Sequence, residues 1–214
     1  MYIPSSFRVT DQKMLTEFMQ RQSFATLVSS EQDGPIATHL PMLYRADVGS
    51  YGGLVSHMAR ADPQWKCFES SQELLAIFHG PHSYISPSWY EEQVTVPTWN
   101  YAAVHAYGVA KIIDDHDRMV RLLDETVKLD ESGFDQPWPG EIPDDYRDML
   151  IKGIVAFEIP ISRVEGKFKL SQNHSDADRQ GVFDALSKSS DTEKQSLAGM
   201  MQRAGLTNDS DENA

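Results

Sequence analysis

The chain has one cysteine, Cys67, so it can form no disulfide within itself. Cys67 falls in an apparent helix, W-K-C-F, where a small buried hydrophobe is the default reading. No apolar run approaches the roughly 20 residues of a membrane span. The first residues, M-Y-I-P-S-S-F-R, lack a charged region followed by an apolar one, so no signal peptide is expected. These absences together point to the cytoplasm. Positive charge is also scarce: 19 Lys and Arg stand against 32 Asp and Glu, a net charge of −13. A surface this acidic repels nucleic-acid phosphates, so DNA binding is not expected from charge. The densest basic stretch, Arg163–Lys169, dilutes its cations with Glu165, which suits one phosphate better than a duplex. The patterns G-x-x-x-x-G-K-[ST], G-x-G-x-x-G, G-x-S-x-G and H-E-x-x-H are all absent. Seven histidines are present, but nothing in their spacing forms a metal motif, and no metal is expected.

What is present is an aromatic, β-branched segment from Phe78 to Tyr107. Two β-rich runs, Leu74–Ser86 and Thr98–Ala110, flank a polar hinge at Glu91–Gln93. His82, Ser86, Asn100 and His105 carry more hydrogen-bonding groups than a core needs. Either they satisfy one another or they line a pocket for something flat and polar.

The 214 residues suffice for one large domain with an appendage. Thr10 reads as an N-cap for a helix with Met14, Leu15, Phe18 and Met19 on one face. Phe24–Ser29 and Pro35–Tyr44 read as strands around the turn Gln32-Asp33-Gly34. Leu54–Met58 is a third strand, and a short helix follows Asp62 with Pro63 in its first turn. Asp114 or Asp115 caps an amphipathic helix bearing Met119, Leu122 and Leu123. A loop at 131–145, a short helix near Tyr146–Ile151 and a strand at Ile154–Ile161 follow. Ser175 with Asp178 opens one late helix, and Ser190 with Glu193 forms a capping box for another, ended by Gly205. The tail from 205 to 214 is acidic and reads as disordered. Six or seven strands succeed one another without regular intervening helices. That predicts a mostly β fold, an antiparallel sheet or barrel with flanking helices.

Four segments cluster polar groups: Thr38–Pro41, Ser56–Arg60, Trp99–Tyr101 with His105, and Lys167–Asn173. Ser56, His57 and Arg60 end a strand just before a helix, a reasonable phosphate cradle; the bland alternative is an N-cap with a surface arginine.

In order, M-Y-I-P-x-x-F, A-T-H-L-P (37–41), H-M-A-R-A-D-P-Q-W (57–65), G-P-H-S-Y-I-S-P-S-W-Y (80–90), V-P-T-W-N-Y-A-A-V-H (96–105) and K-L-S-Q-N (169–173) follow one another. This set resembles the PaiB-type FMN-binding negative transcriptional regulators, from Met1 to about Leu186. That family is similar to pyridoxamine-phosphate oxidases and flavin reductases. The resemblance implies a six-stranded antiparallel split β-barrel over 1–170, a C-terminal helical extension at 171–204, and a homodimer with FMN at the subunit interface. It implies cofactor contacts from Thr38, His39, Leu40 and Pro41 along the flavin ring and from Ser56, His57, Met58 and Arg60 near the phosphate. It also implies contacts from Trp99 and Asn100 of the partner and from Lys169 and Gln172. Position 62 is Asp62 where the family pattern has Asn, which disfavours a phosphate contact there unless Asp62 caps the helix and turns away. The implied role is negative regulation of transcription. The alternative is an FMN-dependent oxidoreductase using the same pocket.

Overall fold

The computed structural model describes residues 1–207 except Gln32, Ser71 and Gln93. Parts of the expected turn at 32–34 and hinge at 91–93, and the tail beyond Thr207, therefore lie outside the described residues. Among the described residues, nine strands and five α-helices follow in chain order. They are β1 (Arg8–Val9), α1 (Gln12–Arg21), β2 (Phe24–Glu31), β3 (Gly34–Pro41), β4 (Leu43–Arg45), β5 (Gly53–Ala59) and β6 (Glu73–Ile85). Then come β7 (Thr98–Val109), β8 (Lys111–Ile113), α2 (His116–Glu131), α3 (Asp144–Ile151), β9 (Ile154–Lys169), α4 (Asp176–Ser187) and α5 (Thr192–Arg203). Short 3-10 helices span Pro63–Ser70 and Pro87–Trp89.

The strand order is β3-β2-β6-β7-β9-β5-β4, with β1 and β8 also paired to β9. The fold is thus a mostly antiparallel sheet with flanking helices. The expectation of six or seven strands, six by the resemblance, is corrected to nine among the described residues, and no pairing of β3 with β4 closes the path there. The additional strands β1, β4 and β8 have only two or three residues each, too short to leave an alternating pattern. The single run read at Pro35–Tyr44 is broken at Met42, whose N–H turns to the Ser23 carbonyl at 2.8 Å. β9 is twice the expected length because the charged stretch from Arg163 keeps its alternation through Phe168.

The chain groups into two compact units. The first comprises residues 1–18, 79–104 and 165 onwards. Its core holds Leu15, Phe18, Ile85, Val104, Phe168, Val182, Leu186, Leu197 and Met201. Phe18 and Phe168 meet with ring centroids 5.0 Å apart. Asp11, not Thr10, caps α1, because its carboxylate accepts the Met14 N–H at 3.1 Å. Met14 itself is exposed, one residue off the buried stripe. Ser175 caps α4 as expected, but Asp191 rather than Ser190 caps α5, accepting the Glu193 N–H.

The second unit comprises residues 19–78 and 105–164. Val55, Ile113, Leu122 and Ala156 form one of its apolar clusters, against which Met119 packs from α2. Asp115 caps α2 through the Arg118 N–H. Gln64 is fully buried and donates its amide to the Leu27 carbonyl at 3.0 Å, which fastens the 63–70 helix to β2. Among the described residues no helix is long and apolar enough to cross a membrane.

Candidate functional site

In the second unit, β3 carries Thr38, β5 carries Ser56, and Arg60 and Asp62 lie between β5 and the 63–70 helix. Thr38 Oγ1 donates to Asp62 Oδ2 at 3.0 Å, and Asp62 Oδ1 accepts the Gln64 N–H at 2.9 Å. Asp62 is therefore the cap of that helix, with both carboxylate oxygens engaged. Ser56 is buried and donates to the Pro41 carbonyl at 2.6 Å. Arg60 Nε and Nη2 donate to the carbonyls of Lys152 and Ile154 at 2.9 and 2.7 Å, holding the turn that leads into β9. Leu40 and Met58 point into the core, so only their backbone groups are left for a ligand. His39 is exposed, 2.9 Å from Thr26 Oγ1 and stacked over Phe24. His57 is half-buried, and burial pushes its pKa below the ordinary histidine value.

The hydroxyls of Thr38 and Ser56 and two N–H groups of Arg60 are engaged within the protein, and both oxygens of Asp62 accept hydrogen bonds from neutral donors. What this region offers an anionic, flat cofactor is the exposed His39, the half-buried His57 and backbone groups.

In the first unit, Trp99 is exposed, with His82 and Tyr84 rings 6.1 and 6.2 Å from it. Asn100 is fully buried; its Nδ2 donates to Ser171 Oγ at 2.8 Å, while Oδ1 accepts nothing. An unmatched buried acceptor costs about 1–3 kcal/mol. Lys169 donates to Thr98 Oγ1, and burial first, then the like charge of Lys167, holds its pKa below the usual lysine value. Gln172 closes its own turn: Oε1 accepts the Leu170 N–H at 2.6 Å and Nε2 donates to the Phe168 carbonyl. Ser171 between them has φ 67°, the one non-glycine residue with positive φ among the described residues. Thr98, Asn100, Lys169, Ser171, Asn173 and His174 line a cavity of about 200 Å³.

Sequence reasoning missed His174, Tyr90 and Asp178. His174 stacks on Tyr90 with centroids 4.6 Å apart, and Asp178 Oδ1 accepts the N–H groups of Glu91 and Glu92 at 2.8 and 3.3 Å. The signal was present only as N-H directly after S-Q. Burial by itself would raise the Asp178 pKa, yet those N–H bonds hold it below the ordinary carboxylate value. Glu92, His174 and Asp178 offer ligand atoms within 4.8 Å of one another, but Asp178 is already spent as a loop clamp.

Comparison with known proteins adds the following. The family model described as "Putative FMN-binding domain" matches residues 1–163. The chain is 37% identical over 204 residues to the protein named "Protease synthase and sporulation protein PAI 2" of Bacillus subtilis, covering 94% of this chain and 97% of that one. Among solved structures it is similar to the flavocytochrome Anf3 from Azotobacter vinelandii (TM-score 0.61, 15% identity, 76% of this chain and 69% of that one). It is also similar to the FAD and heme binding protein from Mycobacterium smegmatis (TM-score 0.60, 13% identity, 80% and 78%). At those identities the structural likeness speaks to the fold alone.

Proposed function

We infer, from the premise that this chain belongs to the FMN-binding domain family and that FMN is its cofactor, that it is a dimeric flavin-binding regulator of gene expression. The family match over residues 1–163 carries this reading. The 37% identical relative, named for protease synthesis and sporulation, supports the regulatory half.

Thr38, His39 and the backbone of Leu40 and Pro41 would line the flavin ring. Ser56, His57, the backbone of Met58 and Arg60 would serve the ribityl-phosphate end, and Trp99 of a second copy would cover the face. Trp99 suits that role because it is exposed and framed by two other rings. Gln172 holds the turn that carries Lys169 rather than reaching a ligand. Asn100 and Lys169 stand on a cavity of their own. When bound, FMN supplies one- or two-electron chemistry; the protein's share is to hold and orient it. With a net charge of −13, the regulator acts through a protein partner or through the state of its flavin, not by gripping the phosphates of DNA.

The test is the visible spectrum of the purified protein during gel filtration, with FMN added to a parallel sample. The expected result is a flavin band travelling with a species of twice the chain mass. A protein that is colourless and takes up no FMN would overturn the reading. Repeated turnover of NADPH by the same sample would replace the regulator with an oxidoreductase.

A further inference from the structure

The cavity of the first unit has three properties that belong together. It is lined by a cation and by polar groups, and no carboxylate is among its lining residues. Lys169 has no carboxylate within ion-pairing distance among the described residues; it is met by the neutral hydroxyl of Thr98 and lies 6.0 Å from the centre of the Phe7 ring. An ammonium drawn partly out of water without a counter-ion favours an incoming anion. Asn100 lines the same cavity, and its Oδ1 lacks a donor. Two residues past Lys169 the backbone is strained at Ser171, whose hydroxyl pins the Asn100 amide nitrogen and leaves Oδ1 as the side without a partner. The volume, about 200 Å³, falls below the roughly 300–1,000 Å³ of sites for drug-sized ligands, so a flavin or nucleotide does not fit inside it.

We propose that this cavity binds a small organic carboxylate that carries its own N–H or O–H donor, the carboxylate set against Lys169 and the donor against Asn100 Oδ1. Asn173 and His174 complete the lining as hydrogen-bonding groups. Such a ligand makes the protein responsive to a small metabolite acid as well as to its flavin. The site stands on residues of the first unit.

The experiment titrates the isotope-labelled full chain with N-acetylglycine and follows backbone amide shifts by NMR, with and without FMN. Saturable shifts are expected at Thr98, Asn100, Ser171 and His174. N-acetylglycinamide, which lacks the charge, and acetate, which lacks the donor, should each bind about tenfold more weakly or worse. Lys169→Met should weaken N-acetylglycine by about tenfold or more. Lys169→Gln serves as the second variant should the first unfold. Absence of shifts in the wild type, or undiminished affinity in both variants, overturns the proposal. Displacement of the acid by FMN also overturns it, because the cavity would then be part of the flavin site. Acid binding in a protein that takes up no FMN would sink the flavin reading and leave this one standing.

Discussion

Asp62 shows how one residue settles a question that its type leaves open. A carboxylate beside a phosphate is unfavourable, but here its two oxygens are engaged by Thr38 Oγ1 and the Gln64 N–H. Asp62→Ala removes a helix cap and a buried-edge hydrogen bond, so a loss of about 1–2 kcal/mol is expected in urea denaturation; Asp62→Asn should keep most of it. His57 and His116 set opposing pH dependences. Burial holds folded His57 below its ordinary value, so the unfolded chain takes up the proton first as pH falls. Its contribution is whole above the ordinary histidine range and drains as pH drops toward the lowered value. His116 is raised by its hydrogen bond to Asp148, so its contribution is whole at acid pH and is lost as pH rises through the raised value. His57→Gln should therefore flatten the acid side of a stability profile taken from about pH 5 to 8, and His116→Gln should not. An unchanged acid slope in His57→Gln would contradict this account.

At the scale of elements, α4 depends on a residue that helix propensity disfavours. Gly181 lies in mid-helix, and a Cβ there would stand 2.1 Å from the Trp89 carbonyl oxygen. Gly→Ala in a helix ordinarily gains about 1 kcal/mol. Overpacking against backbone costs about 1–3 kcal/mol and should prevail here. Gly181→Ala is thus expected to lower the melting temperature and to loosen α4 from the 87–89 helix, visible as faster amide exchange in both segments. A rise in melting temperature would show that the backbone yields. The long strands were legible in the sequence because aromatic and β-branched residues run on over many positions, as in β6 and β7. The caps were legible only to within a residue or so, since Thr10 and Asp11, or Ser190 and Asp191, are chemically equivalent candidates. Only backbone direction chooses between them.

For the whole molecule, the dominant physical fact is the charge of −13. Duplex DNA should not be retarded by the protein in a gel-shift assay at about 0.15 M salt. Specific retardation that survives that salt would require a local basic surface and would restore direct repression. The flavin cofactor was legible through motif resemblance rather than through periodicity. The separate tasks of the polar residues were not legible. Nothing in the types Asn, Lys and Gln distinguishes Gln172, which serves its own turn, from Asn100 and Lys169, which face a cavity.

The sequence by itself determined the strand-rich class, the acidic surface and the family, because alternation, composition and long ordered motifs are one-dimensional properties. Tertiary structure alone decided which polar groups are spent and which are left over. The carboxylate of Asp62 is taken up by the Thr38 hydroxyl and the Gln64 N–H, and two N–H groups of Arg60 by the carbonyls of Lys152 and Ile154, while Asn100 Oδ1 has no donor. A hydrogen bond needs a partner within about 3 Å and the right angle. That condition is met or missed only once the chain has folded.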